Sequence, residues 1–259
     1  SNGAEGITWS QTYSRNFLIA VGGGVIRDAM GGSGTNRMAY SYDGGLTWTT
    51  NNTAVLTTAS GSSVGSIRTV KYSNGIWVAG GDCSGSSVSG NNCLAWSRDG
   101  VNWTGAGGTQ IFGSAGSCYA VCCNDRGRWV AVGGAPLTTA GTYTNVSGSI
   151  YTMAWSDDGM NWTPIVGSRA LFGIVCQGVS YGADASGVGM WTAIGRGTVN
   201  AGAGVGYTGC AYSYDGKSWF LSQTSASLFG TSANVLTERY AGRANGIWLS
   251  ISLSSTGQY

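Results

Sequence analysis

Ala39-Tyr40-Ser41-Tyr42-Asp43-Gly44-Gly45-Leu46-Thr47-Trp48 decides the reading of this chain, because the pattern is written four times. It returns as Ala95-Trp96-Ser97-Arg98-Asp99-Gly100-Val101-Asn102-Trp103 and as Ala154-Trp155-Ser156-Asp157-Asp158-Gly159-Met160-Asn161-Trp162. The fourth copy is Ala211-Tyr212-Ser213-Tyr214-Asp215-Gly216-Lys217-Ser218-Trp219. A spacing of about 50–60 residues is the mark of one supersecondary unit used repeatedly. Each copy describes a turn. The Asp accepts hydrogen bonds from turn N–H groups, the Gly admits positive φ, and the Trp anchors the strand that leaves.

A second element precedes each turn. It reads Tyr72-Ser73-Asn74-Gly75-Ile76-Trp77-Val78-Ala79-Gly80-Gly81, Arg128-Trp129-Val130-Ala131-Val132-Gly133-Gly134 and Met190-Trp191-Thr192-Ala193-Ile194-Gly195. Two more copies are Asn16-Phe17-Leu18-Ile19-Ala20-Val21-Gly22-Gly23 and Asn245-Gly246-Ile247-Trp248-Leu249-Ser250. Asn-Gly before an apolar run is a hairpin signal. Each unit therefore holds four short strands. The first ends near Tyr13, Tyr72, Cys123, Tyr181 or Tyr240, the second carries the aromatic-aliphatic run, and the third and fourth flank the Asp turn.

The S-x-D-G-x-x-W pattern resembles the Asp-box, or BNR, repeat of sialidases and related β-propellers. With the hairpin segments, the resemblance covers nearly the whole chain. It implies an all-β fold, a single domain over 1–259: a five-bladed β-propeller of four-stranded antiparallel blades. A fifth turn is legible across the termini, where Tyr259 and Ser1 to Trp9 mimic Tyr212 to Trp219. The ring is then expected to close by pairing the N-terminal strand with the C-terminal strands, which hides an edge. In the families that carry it, the Asp-box lies at the blade periphery. The resemblance thus implies structural roles for Asp43, Trp48, Asp99, Trp103, Asp158, Trp162, Asp215 and Trp219.

Composition narrows the chemistry. Charged residues make up 9% and the net charge is +2, with no block of one sign. Nucleic acid is therefore not an expected partner. No apolar run is long enough to span a bilayer, so membrane insertion is not expected. Histidine is absent, which removes His general bases, His-containing triads and His-ligated metals. The seven cysteines include no C-x-x-C pair, so neither a metal nor a cofactor is expected. Cys83 and Cys93 can close one loop; the others read as small buried side chains. Asn51, Asn102 and Asn145 begin formal glycosylation sequons.

Outside the four turns the acids are Glu5, Asp28, Asp82, Asp125, Asp157, Asp184 and Glu238. Sialidase-like propellers draw an arginine cluster, a Tyr–Glu pair and an acidic proton donor from inner strands near the axis. The inner-strand segments read here contain one acid, Glu238, with Arg68, Lys71 and Arg239. One carboxylate does not supply both acid and base for glycoside hydrolysis, so the expectation is that the chain is not an enzyme. Long loops after the second strand, Gly24–Asn36, Asp82–Asn92, Ala135–Ser149 and Gly197–Thr208, are rich in Gly, Ser, Thr, Asn and Tyr. Loops of that composition on a rigid scaffold suit binding. The candidate ligand-binding residues are Arg27, Asp28, Asp82, Tyr143, Tyr151, Arg196, Asn200 and Tyr207. Ile111-Phe112-Gly113, Leu171-Phe172-Gly173 and Leu228-Phe229-Gly230 read as hydrophobic plugs beneath the connections between units. The expected function is a non-catalytic recognition module, extracellular or on a virion surface, that binds a glycan or cell-surface partner and is suited to being part of a larger chain or assembly. The alternatives are a structural propeller within an assembly and a sialidase-type hydrolase.

Overall fold

The computed structural model describes residues 4–9, 17–22, 38–51, 56, 67–83, 92–113, 116–124, 126–134, 151–173, 175–183, 186–196, 208–222, 236–244 and 247–254. These residues form an all-β fold of antiparallel sheets. The first unit joins β1 (Ala4–Trp9), β2 (Leu18–Gly22), β3 (Met38–Ser41) and β4 (Thr49–Asn51) in that order. The second joins β5 (Ile67–Ser73), β6 (Ile76–Gly81), β7 (Leu94–Ser97) and β8 (Thr104–Gly105). A single-turn helix, α1 (Thr109–Phe112), leads to the third unit: β9 (Ser117–Cys123), β10 (Trp129–Gly134), β11 (Met153–Ser156) and β12 (Thr163–Pro164). A second turn of helix, α2 (Ser168–Leu171), leads to β13 (Val175–Ala183), β14 (Gly189–Arg196), β15 (Thr208–Ser213) and β16 (Phe220–Leu221). The hairpin β17 (Leu236–Ala244) and β18 (Ile247–Ser254) completes the described chain.

Packing explains the second strands. Every residue of β6 and of β10 is buried, which is why these strands read as unbroken apolar runs rather than alternating ones. Trp77, Trp129 and Trp191 are fully buried at the head of each run. The core lies between consecutive units. Phe17 and Ile19 of the first pack with Val70, Trp77 and Ala95 of the second, and Val78 and Leu94 of the second pack with Trp129 and Ala154 of the third. Val130 and Val132 of the third pack with Val179, Trp191 and Ala211 of the fourth. Ile111, Phe112 and Phe172 are also fully buried, as the plug reading expects; Leu228 to Gly230 lie outside the described residues. The Asn74-Gly75 turn has φ of 51° and 76°, the two positive values that a tight hairpin turn requires.

The N-terminal strand corrects the expectation of ring closure. β1 pairs with β2, its neighbour in sequence, with Trp9 opposite Leu18. Among the described residues, β17 pairs with β18. Neighbouring strands pair locally more readily than distant ones because less chain entropy is lost. Trp9 consequently belongs to the first strand of its unit, called inner here because it packs against the first strand of the next unit, and is not a fifth turn tryptophan. The described part of the first inner strand is Ala4–Trp9, Tyr13 lying outside the described residues, and the last inner strand runs past Tyr240 to Ala244.

All five inner hairpins share an irregularity. The register shifts between Ala4 and Gly6, Ile67 and Thr69, Cys176 and Gly178, and Glu238 and Tyr240. In the third unit the consecutive Val132 and Gly133 of β10 face Ala120 and Cys118 of β9. Each shift leaves one extra residue on the inner strand, a β-bulge. Counted back from the residue opposite the head of each run, the bulge falls at the same point every time. Successive inner strands pack side by side in the order β1, β5, β9, β13, β17.

Candidate functional site

The strand ends next to the second bulge bring charged and aromatic groups together. Arg68 is the bulged residue of β5. Its Nε donates to Asp82 Oδ1 at 2.8 Å and its Nη2 to Asp82 Oδ2 at 3.3 Å. Ser117 Oγ, at the start of β9, donates to the same Oδ1 at 2.6 Å. Arg68 also lies over the Tyr119 ring, 4.9 Å from its centroid, within range for a cation–π contact. Tyr119 is itself the bulged residue of β9. Arg68 and Asp82 keep about a fifth of their side-chain surface in solvent, so the cluster is accessible yet largely desolvated.

The backbone that presents Asp82 is tied down on several sides. Asp82 bridges Ser117 across the gap between units, and Cys83 N–H donates to Gly116 C=O at 2.8 Å. Cys83 is disulfide-bonded to Cys93, the one pairing expected from the sequence. Gly81 N–H donates to Cys93 C=O at 3.0 Å. The carboxylate therefore sits on a cross-linked stretch rather than at the tip of a free loop.

The four Asp turns have a different design. In the second, Ser97 Oγ accepts from Asp99 N–H at 3.3 Å and Gly100 N–H at 2.8 Å, and donates to Asp99 Oδ1 at 2.9 Å. Asp99 Oδ1 accepts from Val101 and Asn102 N–H, and Oδ2 from Asn102 Nδ2 at 2.7 Å. Trp103 Nε1 closes the turn on Gly100 C=O at 3.0 Å. The turns at Asp158 and Asp215 repeat this scheme, and Asp43 reaches Thr47 one residue further on. Burial pushes the Asp99 and Asp158 carboxyls up, but the turn N–H groups and the Asn side chains outweigh it and hold both at about 2. Asp215 is lowered against the same opposition. Asp43 is lowered chiefly by the Thr47 hydroxyl. All four carboxylates are thus spent on their own turns.

Of the residues singled out as ligand-binding, Asp82 joins the cluster. Tyr151 packs against the core around Phe112 and Cys118. Arg196 ends β14 opposite Val175 and Thr208. Arg27, Asp28, Tyr143, Asn200 and Tyr207 lie outside the described residues. Sequence reading missed Arg68, Ser117 and Tyr119 as site residues. Among the described residues no group of three His, Cys, Asp or Glu can hold a metal ion, and no helix is long and apolar enough to cross a membrane.

No protein-family model matches this chain, and no curated protein is significantly similar to it. Solved structures similar to it include glycoside hydrolases. One named a glycoside hydrolase is 14% identical, with a TM-score of 0.36 over 67% of this chain and 60% of that one. A glycosyl hydrolase from Bacteroides ovatus is 14% identical, with a TM-score of 0.39 over 91% of this chain and 76% of the other. A third belongs to work on GH130 mannoside phosphorylases and hydrolases that target β-1,2 mannosidic linkages in Candida mannan. It is 14% identical at a TM-score of 0.33 over 61% of this chain and 48% of that chain. The chain thus spans less than two thirds of the first of these.

The expectation of a non-catalytic module, and of a chain that is not an enzyme, runs against the glycoside hydrolase and glycosidase names of these neighbours. The chain's own register removes the premise behind that expectation. Counting a single inner-strand acid depended on reading residues 1–9 as part of a turn. With β1 as an inner strand, Glu5 joins Glu238 on the inner strands, and Asp82 lies beside Ser117 at the start of β9.

Proposed function

We propose that this chain is a carbohydrate-processing enzyme of glycoside hydrolase type, built as a single Asp-box propeller domain with five blades. The class is the one named for its structural neighbours; the support for it lies in the chain's own residues. The observation that carries it is the Arg68–Asp82–Ser117–Tyr119 cluster, which gathers side chains from two units at the ends of their inner strands. Three donors converge on Asp82, which suits a charge-bearing role as base, nucleophile or stabiliser of an oxocarbenium-like centre. The Tyr119 ring and the guanidinium above it offer a stacking face and hydrogen-bond donors, the two things a sugar ring uses. The Asp turns act as structural clamps. The Cys83–Cys93 disulfide supports an oxidising location such as the cell exterior or a virion surface.

The test is a panel of fluorogenic aryl glycosides offered to the wild-type protein and to Asp82→Asn. Release by the wild type that falls ~100-fold or more in the variant supports the reading. Equal rates in the two proteins count against it.

A further inference from the structure

Each Asp turn from the second to the fourth is seated on the unit before it. A Cβ added at Gly100 would strike Phe17 and Ile19 of the first unit, and one at Gly159 would strike Val78 of the second. One at Gly216 would meet Arg128 and Val130 of the third. The seat is the same each time: residues flanking the one that pairs with the turn Ser of that unit, namely Leu18, Trp77 or Trp129. The fourth turn adds a hydrogen bond from Arg128 Nη1 to Asp215 C=O at 2.9 Å, and Lys217 Nζ lies 3.7 Å from the centroid of the Trp155 ring. The fourth unit carries the same seat. Its counterparts are Met190 and Thr192, which flank Trp191 opposite Ser213, and Tyr212, which stands where Trp155 stands in the third unit. Phe17, Ile19, Val78 and Val130 are buried, whereas Met190 and Thr192 are only half-buried. Val188, Tyr214 and Phe220 nearby in the same unit are each more than half exposed. The Tyr212 ring centroid lies 6.0 Å from that of Tyr214 and 5.7 Å from that of Phe220, so the apolar floor is preformed.

The fifth unit supplies a strand edge beside this seat. β17 packs on β13 and β14. Among the described residues β18 pairs only with β17, whereas β2, β6, β10 and β14 each pair with a third strand of their unit. The sequence writes four Ser-x-Asp-Gly turns, and each belongs to one of the first four units. We infer that the open seat is a docking site for a β-hairpin of a partner chain that carries an Asp turn. Its first strand adds to β18, and its turn rests on Met190, Thr192 and Tyr212. Strand addition satisfies the N–H and C=O groups of an edge, and the turn covers apolar surface. The seated turns define the partner's chemistry: Ser-x-Asp-Gly, then a residue with an apolar stem such as Val101, Met160 or Lys217, and Trp two positions on. The first turn is itself unseated, since a Cβ at Gly44 would meet nothing within 4 Å and Leu46 is exposed. A second copy does not fit with it, because its β1 and β2 would arrive at the place beside β13 that β17 fills.

The probe is a fluorescein-labelled peptide of Met153–Ile165, the third turn with its two strands, which Ile165 N–H closes on Met153 C=O at 2.9 Å in the chain. Its anisotropy is expected to rise saturably with the full chain. Met190→Glu and Thr192→Arg in the chain, and separately Asp158→Ala in the peptide, are each expected to weaken binding ~10-fold or more. Val166→Glu, at an exposed apolar residue before α2, is expected to leave binding unchanged. The peptide variant leaves the chain's fold untouched, so it decides even where a seat variant unfolds. No saturable binding, or equal binding by wild type and both folded seat variants, overturns the proposal. So does self-association of the wild type in sedimentation velocity that Met190→Glu abolishes, which gives the seat to a second copy.

Discussion

Arg68 and Asp82 face each other across one bulge: the guanidinium is the extra residue of the inner strand, and the carboxylate follows Gly81, which ends the neighbouring strand. The pair joins a side chain that the irregularity displays to one that the disulfide anchors. Replacing Asp82 by Ala removes one acceptor shared by Arg68 and the buried Ser117 hydroxyl. A loss of about 1.5–3 kcal/mol in urea unfolding is expected, with Ser117→Ala milder at about 1 kcal/mol. A loss below ~0.5 kcal/mol for Asp82→Ala would mean that the cluster is not formed as described.

The Asp turns predict a graded series. Ser97 is buried and satisfies the buried Gly100 N–H, so Ser97→Ala is expected to cost about 1–3 kcal/mol. Ser41 satisfies Gly45 N–H in a more exposed turn, beside Tyr42 and Leu46 in solvent. Ser41→Ala should therefore cost less. Thermal melts of the two variants decide the order, and a reversed order would contradict the clamp account.

Acid should loosen these turns within a defined range. Asp99 and Asp158 ionise at about 2 in the folded chain against 3.8 ordinarily. A depressed folded value contributes stability that is present above about pH 4 and is lost as pH falls through about 2. Asp43 and Asp215 act in the same direction. Urea midpoints are expected to fall between pH 4 and pH 2, and less steeply in an Asp99→Asn, Asp158→Asn double variant. Parallel curves for the two proteins would show that the turns do not carry this dependence.

The bulge partner predicts a steric result. A Cβ at Gly133 would approach the Phe112 ring to 2.9 Å and crowd the β9 backbone. Gly133→Ala should destabilise by about 1–3 kcal/mol through overpacking. Differential scanning calorimetry checks this, and a neutral substitution would argue that the shift at Val132–Gly133 is not fixed.

Much of this was legible before any coordinates. The four Ser-x-Asp-Gly turns, the apolar second strands headed by Trp77, Trp129 and Trp191, and the Cys83–Cys93 link all follow from local chemistry that a sequence displays directly. The site was harder to see, because a bulge is a property of two strands together. Arg68 and Tyr119 look like ordinary strand residues until the register is known. The signal that was present is the Gly-Gly that ends several second strands, such as Gly80-Gly81 and Gly133-Gly134: it marks where a side chain cannot be accommodated. Trp9 misled because Thr8-Trp9 looks like the end of an Asp turn. Local pairing with Leu18 decided otherwise, and that change also moved Glu5 onto an inner strand.

The most direct measurement of the central claim is release of a fluorogenic aglycone from an aryl glycoside panel, by wild type and by Asp82→Asn, with the variant's fold checked by its melting curve. The account predicts turnover of at least one glycoside by the wild type and a ~100-fold or greater loss in a folded Asp82→Asn protein. A wild type that releases nothing, or a folded variant as fast as the wild type, would contradict it.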